Sequence, residues 1–308
     1  MSQPSATPTR ALLLLNPKSR NGAGADIDAG VDSLRAAGLE LEVLYSHSPE
    51  ESNAAIRGRA GQLDLVIVGG GDGTISSTAR TLYECGLALA ILPLGTANDL
   101  ARSLGIGDDL RRAFAVIADD HRAPVDLGVV NDCYFFNVAN MGLGVQVTEE
   151  LAPEVKKRWG VFGYLKAFFA ALARRREFRV RLVVDGKRRT LRSIQLAVGN
   201  GRYYGGGNLV HESARIDDAR LDLYCVRPQT AWELLTLAPL LRSGKHDLAR
   251  RVFNVSGQRI EIATKPKAMS IHADGEPVTR TPASFSVIPG ALQVVVPRDT
   301  ELLSRRGP

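Results

Sequence analysis

The stretch Val66-Ile67-Val68-Gly69-Gly70-Gly71-Asp72-Gly73-Thr74 joins a short apolar run to a turn that is rich in glycine. The β-branched run predicts a buried strand, and the residues from Thr74 to Thr81 predict a helix. Glycine allows the backbone to adopt positive φ and lets a bulky ligand approach it. Successive N–H groups and a helix N-terminus at such a turn can bind an anion. A plain turn between a strand and a helix is the alternative, and the stretch alone does not separate the two.

Asp72 stands in the middle of this turn, where its carboxylate would repel a phosphate group. The residue makes sense if a divalent cation lies between the two anions, or if Asp72 acts on the hydroxyl group of an acceptor.

The composition is that of an ordinary globular protein, with 44% hydrophobic and 23% charged residues in a chain of 308. This length suffices for two domains with cores of their own. A net charge of +6 favours an anionic partner, such as a phospholipid surface, a nucleotide or a nucleic acid. Three widely spaced cysteines favour a reducing cytosol over a disulfide framework or a zinc site. No apolar stretch has the length of a membrane span, and we interpret residues 1–9 as a disordered leader rather than a signal peptide.

Strands and helices alternate at short spacing up to residue 118, which predicts a parallel α/β sheet. Ligands bind beyond the carboxyl ends of the strands in such sheets. Four predicted strands end at polar positions, namely the loop that begins at Asn16, Ser46, the turn Gly70–Thr74 and the loop Pro93–Asp99. One rim of the sheet therefore collects all four. Helix capping alone would also explain Asn98 and Asp99, which begin a helix.

After a boundary near Asp126 the strands follow one another without intervening helices, which predicts an antiparallel sandwich or barrel. Single strands are predicted over 134–139 and 189–198, and Asp185-Gly186 indicates a hairpin turn. We assign 10–126 to an α/β nucleotide-binding domain and 127–290 to a β-sandwich domain. A last strand within 291–304 either ends the second domain or returns to the first.

Two helices are predicted inside the β half. The first carries apolar residues at helical spacing over 161–172 and is flanked by the basic runs Lys156–Arg158 and Arg174–Arg176. Such a helix can lie on an anionic bilayer or can pack its apolar face on the sandwich, and packing is the more common case. The second helix, over 231–241, is interpreted as core or cleft lining.

Three stretches of the β half carry chemical groups. The stretch Gly199–Gly207 has more glycines than a simple hairpin needs. The stretch Arg215–Asp222 offers carboxylates and carbonyls within one turn, which suits a hard cation or a solvated acidic turn. His272–Pro277 places Asp274 and Glu276 on either side of a glycine, as either a hairpin turn or the site of a general base.

Together these motifs resemble the diacylglycerol kinase catalytic-domain family, and the bacterial YegS-like lipid kinases most of all. The Gly-Gly-Asp-Gly-Thr motif alone also occurs in NAD kinases and phosphofructokinases, so the resemblance depends on the whole set. In chain order the matching residues are Asn16-Pro17 with Ser19, Gly70–Thr74, Pro93–Asp99, Asn200-Gly201 with Tyr204–Gly207, the turn at Asp218, and Asp274–Glu276.

The resemblance implies an ATP-dependent lipid kinase with a Rossmann-like α/β domain, a β-sandwich domain and an active site in the cleft between them. It implies Glu276 as the proton acceptor from a primary lipid hydroxyl, with Asp72 and Asp274 beside it. It implies Mg²⁺ held by the Asp218 side chain and the carbonyls of Arg215 and Arg220. It also implies a cytoplasmic protein that meets its lipid at an anionic membrane surface. The residues implied to hold ATP are Asn16, Ser19, Ser46, Gly70, Gly71, Asp72, Gly73, Thr74, Thr96 and Asn98.

The sequence departs from the family pattern at several places, two of which bear on the nucleotide turn and the metal turn. Ser76-Ser77 stand where relatives have an Asn-Glu pair, which removes a carboxylate near the nucleotide turn. Ala219 stands where relatives have glycine after the metal aspartate, so a positive φ there is less favourable. The chain also has no G-x-x-x-x-G-K-[ST] loop, so metal and backbone groups are expected to neutralise the phosphates.

Two other functions fit parts of the sequence. A soluble-substrate kinase of the NAD kinase kind would share the glycine turn, but the missing Asn-Glu pair and the late Asp-Gly-Glu count against it. A regulator that binds a nucleotide or an anionic lipid without turnover is supported only by the changes at Ser77 and Ala219. A nucleic-acid binder is disfavoured, because the basic residues do not gather with aromatic residues on a known module. The sequence does not indicate an oligomeric state.

Overall fold

The computed structural model describes residues 8–19, 25–150, 177–210, 214–229 and 252–300. The chain forms two compact units, unit 1 from Met1–Asp126 with Pro289–Pro308 and unit 2 from Leu127–Ile288. The leader up to residue 7 and the helices predicted at 161–172 and 231–241 lie outside the described residues.

Unit 1 alternates strands and helices, as the sequence predicts. A single turn of 3₁₀-helix, Ala60–Gln62, follows the second helix. The elements are β1 (Arg10–Leu15), α1 (Ala25–Ala36), β2 (Glu40–Tyr45), α2 (Pro49–Arg59), β3 (Leu65–Gly70), α3 (Asp72–Ser76), α4 (Ala79–Cys85), β4 (Ala88–Pro93), α5 (Asp99–Ser103), α6 (Leu110–Asp119) and β5 (Arg122–Val130).

The single helix predicted from Thr74 to Thr81 is wrong, because α3 ends at Ser76 and α4 starts at Ala79. Two side-chain hydroxyls at the break bond backward to the helix carbonyls. Ser77 Oγ donates to the carbonyl of Thr74 at 2.7 Å, and Thr78 Oγ1 donates to the carbonyl of Ile75 at 2.8 Å. Such bonds compete with the main-chain ladder and interrupt a helix.

Unit 2 is built mainly of strands, which follow β5 in the chain. Its elements are β6 (Cys133–Phe135), β7 (Val138–Gly142), α7 (Leu143–Glu150), β8 (Phe178–Val184), β9 (Lys187–Ser193), β10 (Gln195–Gly199), β11 (Tyr203–Tyr204), β12 (Asn208–Leu209), β13 (Leu221–Val226), β14 (Val252–Gly257), β15 (Arg259–Lys265), β16 (Ser270–Ala273), β17 (Glu276–Arg280) and β18 (Ala283–Val295).

The strands of unit 1 form a parallel sheet in the order β2-β1-β3-β4. Every residue of β1, β3 and β4 is buried except Arg10, the first residue of β1. This burial explains the continuous apolar runs of the three strands. Val294, near the end of β18, pairs in parallel with Leu89, so this part of β18 extends the sheet of unit 1 beyond β4.

Unit 2 contains two large antiparallel sheets and the short two-stranded sheet β11-β12. One has the order β14-β13-β10-β7-β16-β17, and the other places β9, β8, β15 and the first part of β18 side by side. Apolar side chains from both sheets meet in one buried cluster, which includes Met141, Leu196 and Leu223 from the first sheet and Val180 and Phe285 from the second. The predicted sandwich is thereby confirmed.

Two of the predicted strands of unit 2 are each two strands. The segment 134–139 is divided between β6 and β7, and the segment 189–198 is divided between β9 and β10, which lie in different sheets. The chain changes sheet at Ser193, whose buried hydroxyl donates to the carbonyls of Gln195 at 2.8 Å and Val226 at 3.1 Å. Strands β14 and β17 were missed because turn and polar residues interrupt their apolar pattern.

Candidate active site

The glycine turn of unit 1 follows the fully buried strand β3 and leads directly into α3. The glycines at 69, 70, 71 and 73 do not use the positive φ that glycine allows, since none of them is in the left-handed region. Glycine is needed instead for close approach between two loops. A Cβ atom on Gly95 would lie 2.5 Å from Cα of Gly71, which is closer than real Cβ atoms come. The backbones of the two predicted ATP-binding loops therefore touch.

Asp72 makes a second connection between these loops. Its Oδ1 accepts a hydrogen bond from the backbone N–H of Leu100 at 3.0 Å, in the first turn of α5. The carboxylate therefore caps a helix that follows the other loop. Oδ2 of Asp72 accepts no hydrogen bond from the described part of the chain.

Asn98 serves its own loop rather than the helix that it precedes. It is buried and in the left-handed region with φ 50°, and its side chain does not cap α5. Its Oδ1 accepts from the Gly95 N–H at 2.9 Å, and its Nδ2 donates to the Gly95 carbonyl at 3.3 Å. Thr96, between these residues, is exposed. Asn98 therefore fixes the shape of the loop from its buried side. Of the two residues of this loop that are predicted to bind ATP, Thr96 is the one that faces solvent.

Asn16 joins the end of β1 to the glycine turn. Its Nδ2 donates to Oγ1 of Thr74 at 3.0 Å, and its backbone N–H donates to the Gly69 carbonyl at 3.0 Å. The N–H of Ser19 donates in turn to the Asn16 carbonyl at 3.0 Å. The structure thus brings Asn16, Ser19 and Thr74 together at the carboxyl ends of neighbouring strands.

Ser46 also lies at this rim but turns inward. Its backbone N–H donates to the Leu15 carbonyl at 2.9 Å, while its buried hydroxyl donates to the Ser48 carbonyl at 2.9 Å and accepts from Oγ of Ser52 at 2.7 Å. A nucleotide contact by the Ser46 side chain would require these bonds to rearrange, and the structure gives the residue a role in fixing the start of α2.

Asp274 and Gly275 form the turn between β16 and β17 in unit 2. Both have positive φ, 48° and 92°, and their neighbours Ala273 and Glu276 pair across the hairpin. Asp-Gly favours this two-residue turn. The hairpin interpretation is therefore correct, and it leaves Glu276 exposed at the start of β17.

The carboxylate of Asp274 binds three successive backbone N–H groups. It accepts from Phe136 at 2.8 Å, from Asn137 at 2.9 Å and from Val138 at 3.1 Å. These bonds interrupt the strand that the sequence predicted over 134–139, and they anchor the turn that carries Glu276. Asp274 is thus placed to position Glu276 through this turn.

The same three-residue segment holds the glycine-rich stretch after β10. Backbone N–H groups of Asn200 and Gly201 donate to the Asn137 carbonyl at 2.8 and 2.9 Å, and Nδ2 of Asn200 donates to the Phe136 carbonyl at 2.9 Å. Two motifs that lie more than seventy residues apart are therefore anchored to residues 136–138. Sequence reasoning missed this segment, because Phe-Asn-Val has the pattern of an ordinary strand.

The predicted metal turn of unit 2 forms with alanine in the position of the family's glycine. Ala219 adopts φ 61°, and Oδ1 of Asp218 accepts from the Arg220 N–H at 3.1 Å. Asp217 is buried and pairs with Nε of Arg215 at 3.3 Å. No group of three or more His, Cys, Asp or Glu side chains gathers within the described ranges. Any cation at this turn would therefore depend on one carboxylate and main-chain carbonyls, an oxygen donor set that suits Mg²⁺ or Ca²⁺.

Asp126 is a buried carboxylate that sequence reasoning used only as a boundary. Its side chain is 1% exposed, and Oδ1 accepts from the Gly290 N–H at 2.7 Å. The bond links β5 to the second segment of unit 1.

Comparison with known families accounts for both halves of the chain. Residues 10–130 match the diacylglycerol kinase catalytic domain, and residues 137–296 match the YegS C-terminal NAD kinase beta sandwich-like domain. A probable lipid kinase YegS-like of Pseudomonas aeruginosa (strain UCBPP-PA14) is 33% identical over 299 residues, which is 96% of each chain. The chain belongs to the YegS-like lipid kinase family. It is a kinase.

A further relative and a solved structure agree with this assignment. A diacylglycerol kinase of Mycobacterium tuberculosis (strain ATCC 25618 / H37Rv) is 30% identical over 92% of this chain and 94% of its own. The crystal structure of a putative diacylglycerol kinase from Bacillus anthracis str. Sterne superimposes with a TM-score of 0.80 at 26% identity, over 97% of this chain and 99% of that chain. In the part of this lipid kinase that the structure describes, no helix has the length and apolar character needed to cross a membrane.

Proposed function

We propose that this kinase transfers the terminal phosphoryl group of ATP to a primary hydroxyl group of a membrane lipid, in a reaction that depends on Mg²⁺. The observation that carries the proposal is the double contact between the glycine turn and the loop before α5, through the backbones of Gly71 and Gly95 and through Asp72 and Leu100. These contacts give a preformed, backbone-lined rim at the carboxyl ends of β3 and β4. The full-length likeness to lipid kinases supports the choice of a lipid as acceptor.

In unit 1, the N–H groups of the glycine turn and of the first turn of α3 would hold the phosphates, since no P-loop lysine is present. Thr96 and Ser19 would contact the nucleotide, while Asn16 and Asn98 hold the loops in place. Phosphoryl transfer needs positioning and neutralisation of charge more than covalent chemistry. A rim that is preformed by hydrogen bonds suits this requirement.

In unit 2, Glu276 would accept the proton of the lipid hydroxyl. Its exposure at the start of β17 leaves the carboxylate free to meet a substrate, and the three bonds of Asp274 fix the turn beside it. Asp218 and the carbonyls of Arg215 and Arg220 would hold Mg²⁺, which would supply positive charge and rigidity to that turn. We place the reaction at the cytoplasmic side of an anionic membrane.

The test is transfer of labelled phosphate from ATP by the purified protein with Mg²⁺. Mixed micelles would carry diacylglycerol, phosphatidylglycerol or a sphingoid base, each of which presents a primary hydroxyl. We expect transfer to at least one of them. Transfer to NAD instead would identify a soluble-substrate kinase, and ATP binding without any transfer would identify a regulator.

The role of Glu276 has its own test. We expect Glu276→Gln to abolish turnover and to change ATP affinity by no more than a few-fold, because the exposed side chain is not needed for folding. Glu40→Gln, at an exposed position of β2, is the control and should keep full turnover. Unchanged turnover in Glu276→Gln would remove this residue from the base role.

A further inference from the structure

The outer face of the sheet β9-β8-β15 in unit 2 is densely cationic. Along β8 and β15 the residues alternate between the buried core and solvent. The side chains of β8 and β15 that point away from the core, with their neighbours on β9, include six exposed basic residues. We call these residues the cationic face: Arg179, Arg181, Arg188, Arg192, Arg259 and Lys265.

The strand register places like charges directly opposite one another on this face. Arg179 of β8 pairs with Arg192 on one side and with Lys265 on the other. Cations that face each other across neighbouring strands destabilise a sheet. The row of Arg192, Arg179 and Lys265 is therefore unfavourable for folding. Packing within the described part of the sheet gives no reason for its presence.

Acidic residues offset little of this charge. Glu261 is the one acid among the outward positions of these strands, and Glu177 at the border pairs with Arg192 at 3.1 Å. The nearby Asp185 uses both carboxylate oxygens on the backbone N–H groups of Gln258 and Arg259. Within the described ranges the other five members of the cationic face have no acidic partner. Six cations against the two acids Glu261 and Glu177 leave an excess of four positive charges on this one face.

We propose that the cationic face docks on a bilayer surface that is rich in anionic phospholipid. Five of its six members are arginines, whose guanidinium groups bind phosphate oxygens through paired hydrogen bonds. A broad sheet face presents these groups side by side, as a lipid surface presents its phosphates. Among the described residues of the face there is no aromatic side chain, so it lacks the stacking platforms that single-stranded nucleic acid uses. The choice of lipid over another polyanion rests on the proposed function.

The experiment measures co-sedimentation of the full chain with vesicles of phosphatidylcholine alone and of phosphatidylcholine mixed in equal parts with phosphatidylglycerol. The test variant combines Arg179→Gln, Arg181→Gln and Arg188→Gln. The control combines Arg35→Gln, Arg57→Gln and Arg111→Gln, which removes the same charge from exposed positions of unit 1. We expect the test variant to bind the anionic vesicles about a hundredfold more weakly at low ionic strength, and the control to bind almost as the wild type does.

Three results would overturn the proposal. Wild-type binding by the test variant would remove the face from membrane contact. An equal loss in both variants would indicate an effect of net charge alone. Tighter binding of a duplex DNA oligonucleotide than of anionic vesicles, lost in the test variant only, would make nucleic acid the partner.

Two further measurements keep the interpretation clear. The unfolding midpoint of the test variant should equal or exceed that of the wild type, because like charges have been removed; a lower midpoint would show that the arginines stabilise the fold instead. Kinase activity in uncharged detergent micelles should be unchanged in the test variant. If no lipid is phosphorylated by the wild type, the proposed function fails, while vesicle binding still tests the face.

Discussion

The carboxylate of Asp72 accepts a hydrogen bond from the backbone N–H of Leu100 at 3.0 Å, and it thereby caps a helix that lies in the next strand–helix unit. The residue that precedes this helix, Asn98, makes no side-chain cap. One aspartate thus has a structural role beside the chemical role expected from the sequence, which is to face a divalent cation or to act on the acceptor hydroxyl. The two roles can be separated by substitution.

We expect Asp72→Ala to lower the free energy of unfolding by about 1 kcal/mol, the usual effect of a lost cap. Asp72→Asn keeps an oxygen acceptor and should change stability less. Both variants should lose most turnover, because both remove the negative charge. Asp109→Ala is the control, since Asp109 caps α6 through Arg111 and Arg112; it should lose similar stability and keep turnover. Full activity in Asp72→Asn would show that the charge is not used.

Gly95→Ala should weaken both folding and nucleotide binding. The added methyl group would lie 2.5 Å from Cα of Gly71, so one of the two loops must move. We expect a loss of about 1–3 kcal/mol in urea unfolding, as for other overpacked sites, and weaker ATP binding by calorimetry. Gly58→Ala in α2 meets no atom within 4 Å and should be neutral or stabilising. An unchanged ATP affinity in Gly95→Ala would place the nucleotide elsewhere.

Asp274→Asn should lower both stability and turnover. An amide offers one acceptor oxygen in place of two, so the bonds to residues 136–138 cannot all persist, and we expect a loss of about 2 kcal/mol. Asp185 provides a matched control, because Asp185-Gly186 is also a hairpin turn with positive φ and its carboxylate also binds backbone N–H groups. Asp185→Asn should reduce stability without reducing turnover. Equal turnover losses in the two variants would argue against positioning of Glu276.

The three cysteines should differ sharply in reactivity. Burial raises the pKa of the Cys225 thiol to about 11, and the side chain lies in the sandwich core. Cys85 and Cys133 are only partly buried. At pH 8 a thiol reagent should therefore modify two cysteines in the native protein and the third only after unfolding. Mass spectrometry of the labelled peptides gives the order in which the cysteines react. Early modification of Cys225 would contradict its burial.

Ala219→Gly should stabilise the protein. Ala219 has φ 61°, which costs a residue with a Cβ atom about 1–2 kcal/mol, and glycine avoids most of that cost while losing more entropy on folding. We expect a net gain of about 0.5–1 kcal/mol in the free energy of unfolding. Mg²⁺ affinity should rise or stay the same, as measured by the shift of the unfolding midpoint with added Mg²⁺. A loss of stability would show that the alanine methyl group packs usefully.

Strand patterns predicted most of the architecture, because the buried parallel strands of unit 1 and the alternating strands of unit 2 have distinct periods. They could not predict the change of sheet at Ser193 or the break at Asn137, since both depend on hydrogen bonds between residues distant in sequence. The same holds for the site. Motifs located Asp72 and Asp274, but their bonds to Leu100 and to the segment 136–138 are properties of the folded chain.

The second segment of unit 1 has a consequence for synthesis on the ribosome. Val294 pairs with Leu89, so the strand that covers the outer edge of β4 is translated about two hundred residues after β4 itself. Until then, the apolar edge of β4 is open to pairing with other chains. A fragment that stops at residue 126 would keep this edge open permanently and should aggregate. A permuted form of unit 1, in which residues 289–300 precede β1 and the chain ends at residue 126, should be soluble without unit 2.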